Sequence, residues 1–218
     1  MENLKVLIFD FDGVIFDSES LHLQAFNKVL KNHDITISEE DYYKDFISFD
    51  DKGVFEKLID DKQTVDELIR DKNNFFEKYS IDNGLLFDGV CELIEKLSSK
   101  YILCIGSGAK RSEIISILKK FNLESFFEVI ISADDVNYSK PNPETFQKVI
   151  DILNESESIR AIDCLVIEDT PGGIMAAKSA DMYCASITNT FDESLLKDAD
   201  FIFNSYREME DFLLLDIS

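Results

Sequence analysis

Apolar positions along the chain gather into short unbroken runs: residues 5–9, 101–105, 129–131, 164–167, 183–187 and 201–203. Continuous apolarity of this length predicts strands covered on both faces. Stripes of helical period lie between most of them. Ile114, Ile115, Ile117, Leu118 and Phe121 form one, and Phe146, Val149, Ile150 and Leu153 form another. Strand and helix in alternation predict an α/β fold, a Rossmann-like doubly wound parallel sheet. Residues 18–82 break the alternation with three or four helical patterns and no convincing strand. They read as an inserted all-helical cap domain over the sheet's edge, with 1–17 and 83–218 forming the α/β core. Gly84 and Gly89 mark the return, with a helix expected from about Asp88.

Backbone punctuation concentrates just past the expected strands. Pro141, Pro143 and Pro171 lie there, as do Gly13, Gly106, Gly108, Gly172 and Gly173. In open parallel sheets, ligands bind at the carboxyl ends of the strands. Four loops at those ends carry polar chemistry. The first, Asp10-Phe11-Asp12-Gly13, sets two carboxylates where a buried strand stops. A calcium loop of the EF-hand kind does not fit, because Val14 takes the third ligand position and the glycine comes too early. The second, Ile105-Gly106-Ser107-Gly108, offers backbone N–H groups, a hydroxyl and the positive end of a helix expected from Ala109; an ordinary strand-to-helix turn would look the same. The third, Ser139-Lys140-Pro141-Asn142-Pro143-Glu144, predicts a helix starting at Pro143 and capped by Asn142, leaving Lys140 on a stiffened loop. Alone, Lys140 reads as a surface lysine near a helix start, and only its company at the other strand ends changes that. The fourth, Glu168-Asp169-Thr170-Pro171-Gly172-Gly173, again ends an apolar strand in two acids, with Thr170 placed to cap a helix begun by Pro171.

Taken together, four acids, a serine and a lysine fall at the ends of successive strands. Carboxylates packed together repel unless a cation sits between them. Oxygen ligands without histidine or cysteine point to Mg²⁺. A divalent ion, an ammonium group, a hydroxyl and a glycine-rich backbone describe a phosphoryl site.

The charge of the 218 residues narrows the partners. A formal net charge of −22 and a pI near 4.3 disfavour nucleic acid and anionic membrane surfaces. Cys91, Cys104, Cys164 and Cys184 form no CxxC pair, and three lie in expected strands, as buried thiols of a reducing compartment do. The N-terminal apolar run is short and stops at acid, unlike a signal peptide, and no window approaches a membrane span. A cytoplasmic monomer is expected.

The loops, in this order, resemble the haloacid dehalogenase superfamily, and more closely its phosphatase and β-phosphoglucomutase-like branch with a helical cap. DFDGVIFDSE, SKPNPETF and IEDTPGGIMAA carry the resemblance; IGSG is a looser match. It implies an Mg²⁺-dependent phosphatase acting on a small phosphorylated metabolite. Asp10 would be the nucleophile that becomes an aspartyl-phosphate. Asp12 would protonate the leaving oxygen and then deprotonate the attacking water. Asp10, the Asp12 carbonyl and Asp169 would hold the metal, with Glu168 directly or through water. Gly13, Ser107, Gly108 and Lys140 would bind the phosphoryl group. Dehalogenases of the superfamily lack the second aspartate, so Asp12 argues against that reaction.

In the cap, His22 falls at a spacing seen in cap-hinge regions of relatives. Lys72 interrupts the stripe Val65, Leu68, Ile69, Phe76, Tyr79, where a relative's substrate-binding lysine looks similar. A lone helical histidine such as His22 is more often structural, while Lys72 reads equally as a lysine snorkelling from the stripe's edge. Mutases of the branch carry a glycine followed three residues later by an arginine that holds a second phosphate. Here Gly53 leads to Val54, Phe55 and Glu56, which favours hydrolysis over the alternative, a phosphosugar mutase. Phe46, Phe49 and Phe55 line either the cap surface or its core. A receiver module phosphorylated on Asp would share the acids, hydroxyl and lysine, but would lack residues 18–82.

Overall fold

The computed structural model describes residues 3–47 and 49–215. The chain divides into two compact units, Met1–Asp17 with Leu85–Ser218, and Ser18–Gly84. The first opens with β1 (Val6–Phe9) and a two-residue β2 (Phe16–Asp17). The helical unit follows as α1 (Glu19–Leu30), the single turn α2 (Glu39–Asp41), α3 (Asp51–Leu58) and α4 (Lys62–Asn83). The first unit resumes with β3 (Leu85–Leu86), α5 (Val90–Leu97), β4 (Ile102–Gly106), α6 (Arg111–Lys120), β5 (Phe127–Ile131) and α7 (Glu144–Leu153). It ends with β6 (Cys164–Glu168), α8 (Pro171–Ser179), β7 (Tyr183–Ile187), β8 (Phe201–Phe203) and α9 (Tyr206–Leu214).

Six strands form one parallel sheet in the order β5-β4-β1-β6-β7-β8. The chain winds from β1 through β4 to β5, then reverses through β6, β7 and β8. The reversal puts a switch point beside β1, where open sheets bind ligands at the strands' carboxyl ends. Each predicted strand forms. β5 begins two residues before the expected 129, because it is an edge strand with exposed Glu128 in an alternating burial pattern, which hides its start from a search for unbroken apolarity. The pair β2–β3 is antiparallel, with Phe16 opposite Leu86 and Asp17 opposite Leu85; two residues are too few to show as a strand in the sequence.

All four β1 side chains are fully buried, and Ile8 packs in a cluster with Cys104, Phe146, Val166 and Ile174. Each such aliphatic or aromatic side chain stabilises the fold by about 1.5–3 kcal/mol. The helical unit has its own core of Phe26, Leu30, Tyr42, Val54, Phe55, Val65 and Leu68. Its α3 and α4 start where sequence provides caps: Asp50 Oδ1 accepts from Gly53 N at 2.8 Å, and Asp61 Oδ2 from Thr64 N at 2.8 Å. Phe55 is core and Phe46 packs against it, whereas Phe49 is exposed, with Lys57 Nζ 3.9 Å from its ring centre. Cys104, Cys164 and Cys184 are buried free thiols; burial pushes Cys104 and Cys164 up to about 12. Among the described residues, no helix is long and apolar enough to cross a membrane.

Candidate active site

β1 stops at Phe9, and the Asp10 amide still donates to Ile167 O at 2.9 Å, so Asp10 is held at the rim by the neighbouring β6. The chain then folds into a tight turn. Phe11 O accepts from Ile15 N at 2.8 Å and Phe16 N at 2.9 Å, and Gly13 N donates to Phe16 O at 2.9 Å. Gly13 has φ +74°, and a Cβ there would lie 1.9 Å from Asp169 Oδ2. Glycine is required twice over, by the left-handed backbone and by the carboxylate of the fourth loop pressed against it.

β6 runs beside β1 with Ile167 opposite Phe9, so Glu168 and Asp169 emerge beside Asp10. Thr170 caps α8 through Oγ1, which accepts from Gly173 N at 3.0 Å, and Pro171 takes the first helical position, as expected. Glu168 is fully buried and heavily engaged. Its Oε2 accepts from Asp169 N at 3.1 Å, Thr170 N at 3.1 Å and Thr170 Oγ1 at 3.0 Å, and its Oε1 accepts from Lys140 Nζ at 2.6 Å. A Cβ on Gly173 would fall 1.8 Å from that carboxylate, which explains the second glycine of the loop.

Lys140 enters from the loop before α7. That helix starts at Glu144, with Pro143 at the N-cap, one residue later than expected. Asn142 does its capping work all the same, accepting from Glu144 N at 3.0 Å. The Glu144 carboxylate reaches back to the Asn137 amide at 3.1 Å and the Tyr138 amide at 2.9 Å, stapling the loop on which Lys140 stands. Lys140 Nζ lies 2.9 Å from Asp10 Oδ1 and 4.8 Å from the centre of the buried Phe146 ring.

The electrostatics follow from this crowding. Burial pushes the Asp10 carboxyl from 3.8 up to about 7; Lys140 opposes the rise, and Glu168 and Asp12 add to it. Burial works against the charge of Lys140, but the Asp10 and Glu168 carboxylates outweigh it and hold the ammonium above the usual lysine range. Asp10, Glu168 and Asp169 each bring one oxygen to within 4.8 Å of the others, all buried. Asp10 Oδ1 has the ammonium as an ion-pair partner but no aligned hydrogen bond. Hard oxygens, buried together with negative charge in excess, fit a divalent cation of the Mg²⁺ type.

Ser107 follows β4, which pairs with the other edge of β1, Ile105 opposite Phe9. Its buried Oγ accepts from Ala109 N at 3.0 Å, leaving the hydroxyl proton to donate. The Ala109 carbonyl accepts from Ala133 N at 2.9 Å and so is spent outside the helix. α6 begins at Arg111 rather than near Ala109, and the Arg111 amide is taken by Asp134 Oδ2 at 2.9 Å. The expected helix start is therefore corrected by two residues. Around Gly108 there is open space where a Cβ would stand.

Within the helical unit, His22 and Lys72 meet each other. Lys72 is 2% exposed; its Nζ lies 2.9 Å from His22 Nδ1 and 2.6 Å from Asp51 Oδ1, with the Phe26 and Phe76 rings at 4.8 and 5.2 Å. The His22 ring stacks on Phe76 at 4.0 Å. Burial, then the Lys72 charge, hold His22 well below the usual histidine range, so it is the neutral acceptor. Asp51, the counter-ion, has no motif to announce it. Nor do Asn189 and Tyr206, which grip the turn after Asp12; for Asn189 the available signal was its place just past β7, matching the other four loops.

The sequence profile of the haloacid dehalogenase-like hydrolases matches residues 7–187, spanning the four loops that carry Asp10, Ser107, Lys140 and Glu168. The chain belongs to this family. It is similar to validoxylamine A 7'-phosphate phosphatase from Streptomyces hygroscopicus subsp. limoneus, 28% identical over 213 residues, covering 94% of this chain and 95% of the relative. It is also similar to a phosphorylated carbohydrates phosphatase from Thermotoga maritima, 29% identical over 181 residues, covering 81% and 82%. The solved structure of a haloacid dehalogenase-like hydrolase from Streptococcus pneumoniae has the same fold, with a TM-score of 0.85, 19% identity, and coverage of 97% of this chain and 99% of that one.

Proposed function

We propose that this phosphoric monoester hydrolase is Mg²⁺-dependent and cleaves a small phosphorylated metabolite of the sugar phosphate kind through an aspartyl-phosphate on Asp10. The observation that carries the reading is the convergence of Asp10, Glu168 and Asp169 around the Lys140 ammonium at the carboxyl rim of β1 and β6. Asp10, the Asp12 carbonyl and Asp169 would hold the ion, with Glu168 acting through water, since its oxygens already have four donors. When bound, Mg²⁺ supplies charge neutralisation between these carboxylates and the phosphoryl oxygens.

An Asp10 oxygen attacks phosphorus, and the bond from phosphorus to the ester oxygen breaks. Asp12 gives its proton to that oxygen, because an alkoxide leaves poorly without one. Water then attacks the phosphorus of the acyl phosphate as Asp12 takes back a proton, releasing phosphate and restoring both carboxyl groups. Lys140 and Ser107 grip the transferring oxygens.

Hydrolysis is favoured over a mutase by the helical unit's charges. Lys72 is already neutralised by Asp51 at 2.6 Å, and the mutases' arginine has no counterpart after Gly53, so a second phosphate has no cation provided for it there. The relatives named as a phosphorylated carbohydrates phosphatase and a validoxylamine A 7'-phosphate phosphatase support a small phosphorylated metabolite as substrate. A panel of metabolite phosphates assayed with Mg²⁺ tests the reading. Sugar phosphates should release inorganic phosphate, and Asp10→Asn should abolish release with the circular dichroism spectrum intact. Full activity in that variant, or conversion of a sugar 1-phosphate to its 6-phosphate without phosphate release, overturns it.

A further inference from the structure

We infer that Tyr206 and Asn189 are positioning residues for the proton-transfer aspartate, acting on the backbone that follows Asp12. The inference rests on the phosphatase reading for its kinetic consequence, though not for its geometry. The turn at 11–16 is closed by bonds among its own backbone groups, to Phe11 O and Phe16 O. Those bonds set its shape without fixing where it sits against the rest of the unit. Two consecutive carbonyls point away from that network, and both are caught from the far end of the chain. Asn189 Nδ2 donates to Gly13 O at 2.7 Å and to Tyr206 OH at 2.8 Å, and Tyr206 OH donates to Val14 O. The circuit uses both amide protons of Asn189 and the hydroxyl proton of Tyr206.

The partners lie 176 and 192 residues from the turn in sequence. Asn189 stands in the exposed segment after β7, and Tyr206 opens α9 and is buried. Burial holds the Tyr206 hydroxyl well above the usual tyrosine range, so it stays a donor wherever the enzyme works. Thr190 Oγ1 also crowds Gly13, 2.9 Å from where a Cβ would be. The loop after β7 thus joins the four loops of the site as a fifth, contributing placement rather than chemistry. A carboxyl group that must reach a leaving oxygen within hydrogen-bond range depends on such placement.

Two variants test this. Tyr206→Phe keeps the ring and removes the hydroxyl; Asn189→Ala removes both amide donors from an exposed residue and guards against a folding defect in the first. The readouts are kcat/KM for an alkyl phosphomonoester and for p-nitrophenyl phosphate, whose leaving group needs no proton, together with hydrogen exchange of the amides at 12–16. Each variant should lose about tenfold on the alkyl ester and less than about threefold on the nitrophenyl ester, and exchange at 12–16 should quicken. Equal losses on both esters, no loss on the alkyl ester, or unchanged exchange overturns the assignment. If the wild type cleaves neither ester, the phosphatase reading falls, while the exchange rates still decide whether the clamp exists.

Discussion

Asp10→Asn, studied with divalent cations chelated away, isolates the repulsion that the site is argued to contain. Burial and the neighbouring acids raise the Asp10 carboxyl from 3.8 to about 7. Between those values the folded protein holds a proton that the unfolded chain has released, so stability falls as pH rises through that window and levels off above it. One pH unit is worth about 1.4 kcal/mol, and the loss from pH 5 to pH 8 integrates to about 2–3 kcal/mol. Asparagine has nearly the same shape and does not titrate, and Lys140 keeps its bond of 2.6 Å to Glu168. Urea unfolding followed by circular dichroism, on both proteins across pH 5 to 8, reads the difference between them and so removes every other titrating group. The variant should gain on the wild type by about 2–3 kcal/mol over that range, and Mg²⁺ added to the wild type should flatten its slope. Parallel curves for the two proteins would refute the reasoning, because a rim that bears the Asp10 charge at no cost has no need of a cation.

Lys140→Met leaves Asp10 and Glu168 buried without their ammonium; urea unfolding should show a loss of about 3–5 kcal/mol in chelator, and phosphate release should fall by about 100-fold. Gly13→Ala drives a methyl into Asp169 Oδ2, 1.9 Å away, and isothermal titration calorimetry should record at least about tenfold weaker Mg²⁺ binding. His22 is held neutral in the fold, so below pH 6.5 the unfolded chain takes up a proton that the folded state refuses. Stability should therefore fall with pH by up to about 1.4 kcal/mol per unit below that point, and His22→Gln should remove this slope in urea unfolding.

Much of the fold was legible because its signals are local. Six unbroken apolar runs mark six parallel strands, and the absence of such runs from 18–82 marks the helical stretch. What failed to show was short, at an edge or distant. β2 and β3 have two residues each, and the start of β5 is masked by an exposed glutamate. The start of α6 is moved by two residues because the Ala109 carbonyl accepts from Ala133 N at 2.9 Å, a distant partner that no local pattern shows. In the site, the acids and Lys140 announced themselves by falling at strand ends. Asn189 and Tyr206 could not, since their meaning lies in bonds to carbonyls 176 and 192 residues away, and any residue has a carbonyl.

The two buried lysines show why identity of residue is a weaker guide than the count of charges around it. Lys72 faces one carboxylate, Asp51, and a neutral His22. One negative and one positive charge cancel, its remaining neighbours are aromatic faces, and nothing further is called for. Lys140 has the same kind of aromatic floor in Phe146, but it stands among Asp10, Glu168 and Asp169. Three carboxylates against one ammonium leave negative charge in excess in a buried space, and Asp12 adds to it when ionised. On the reading proposed above, a divalent cation would offset that excess before a phosphoryl group approaches. The doubly wound topology creates the excess, because reversing the chain beside β1 brings the ends of β1 and β6 together. The same cation-and-aromatic pairing is therefore balanced packing in the helical unit and an unbalanced, reactive rim in the sheet.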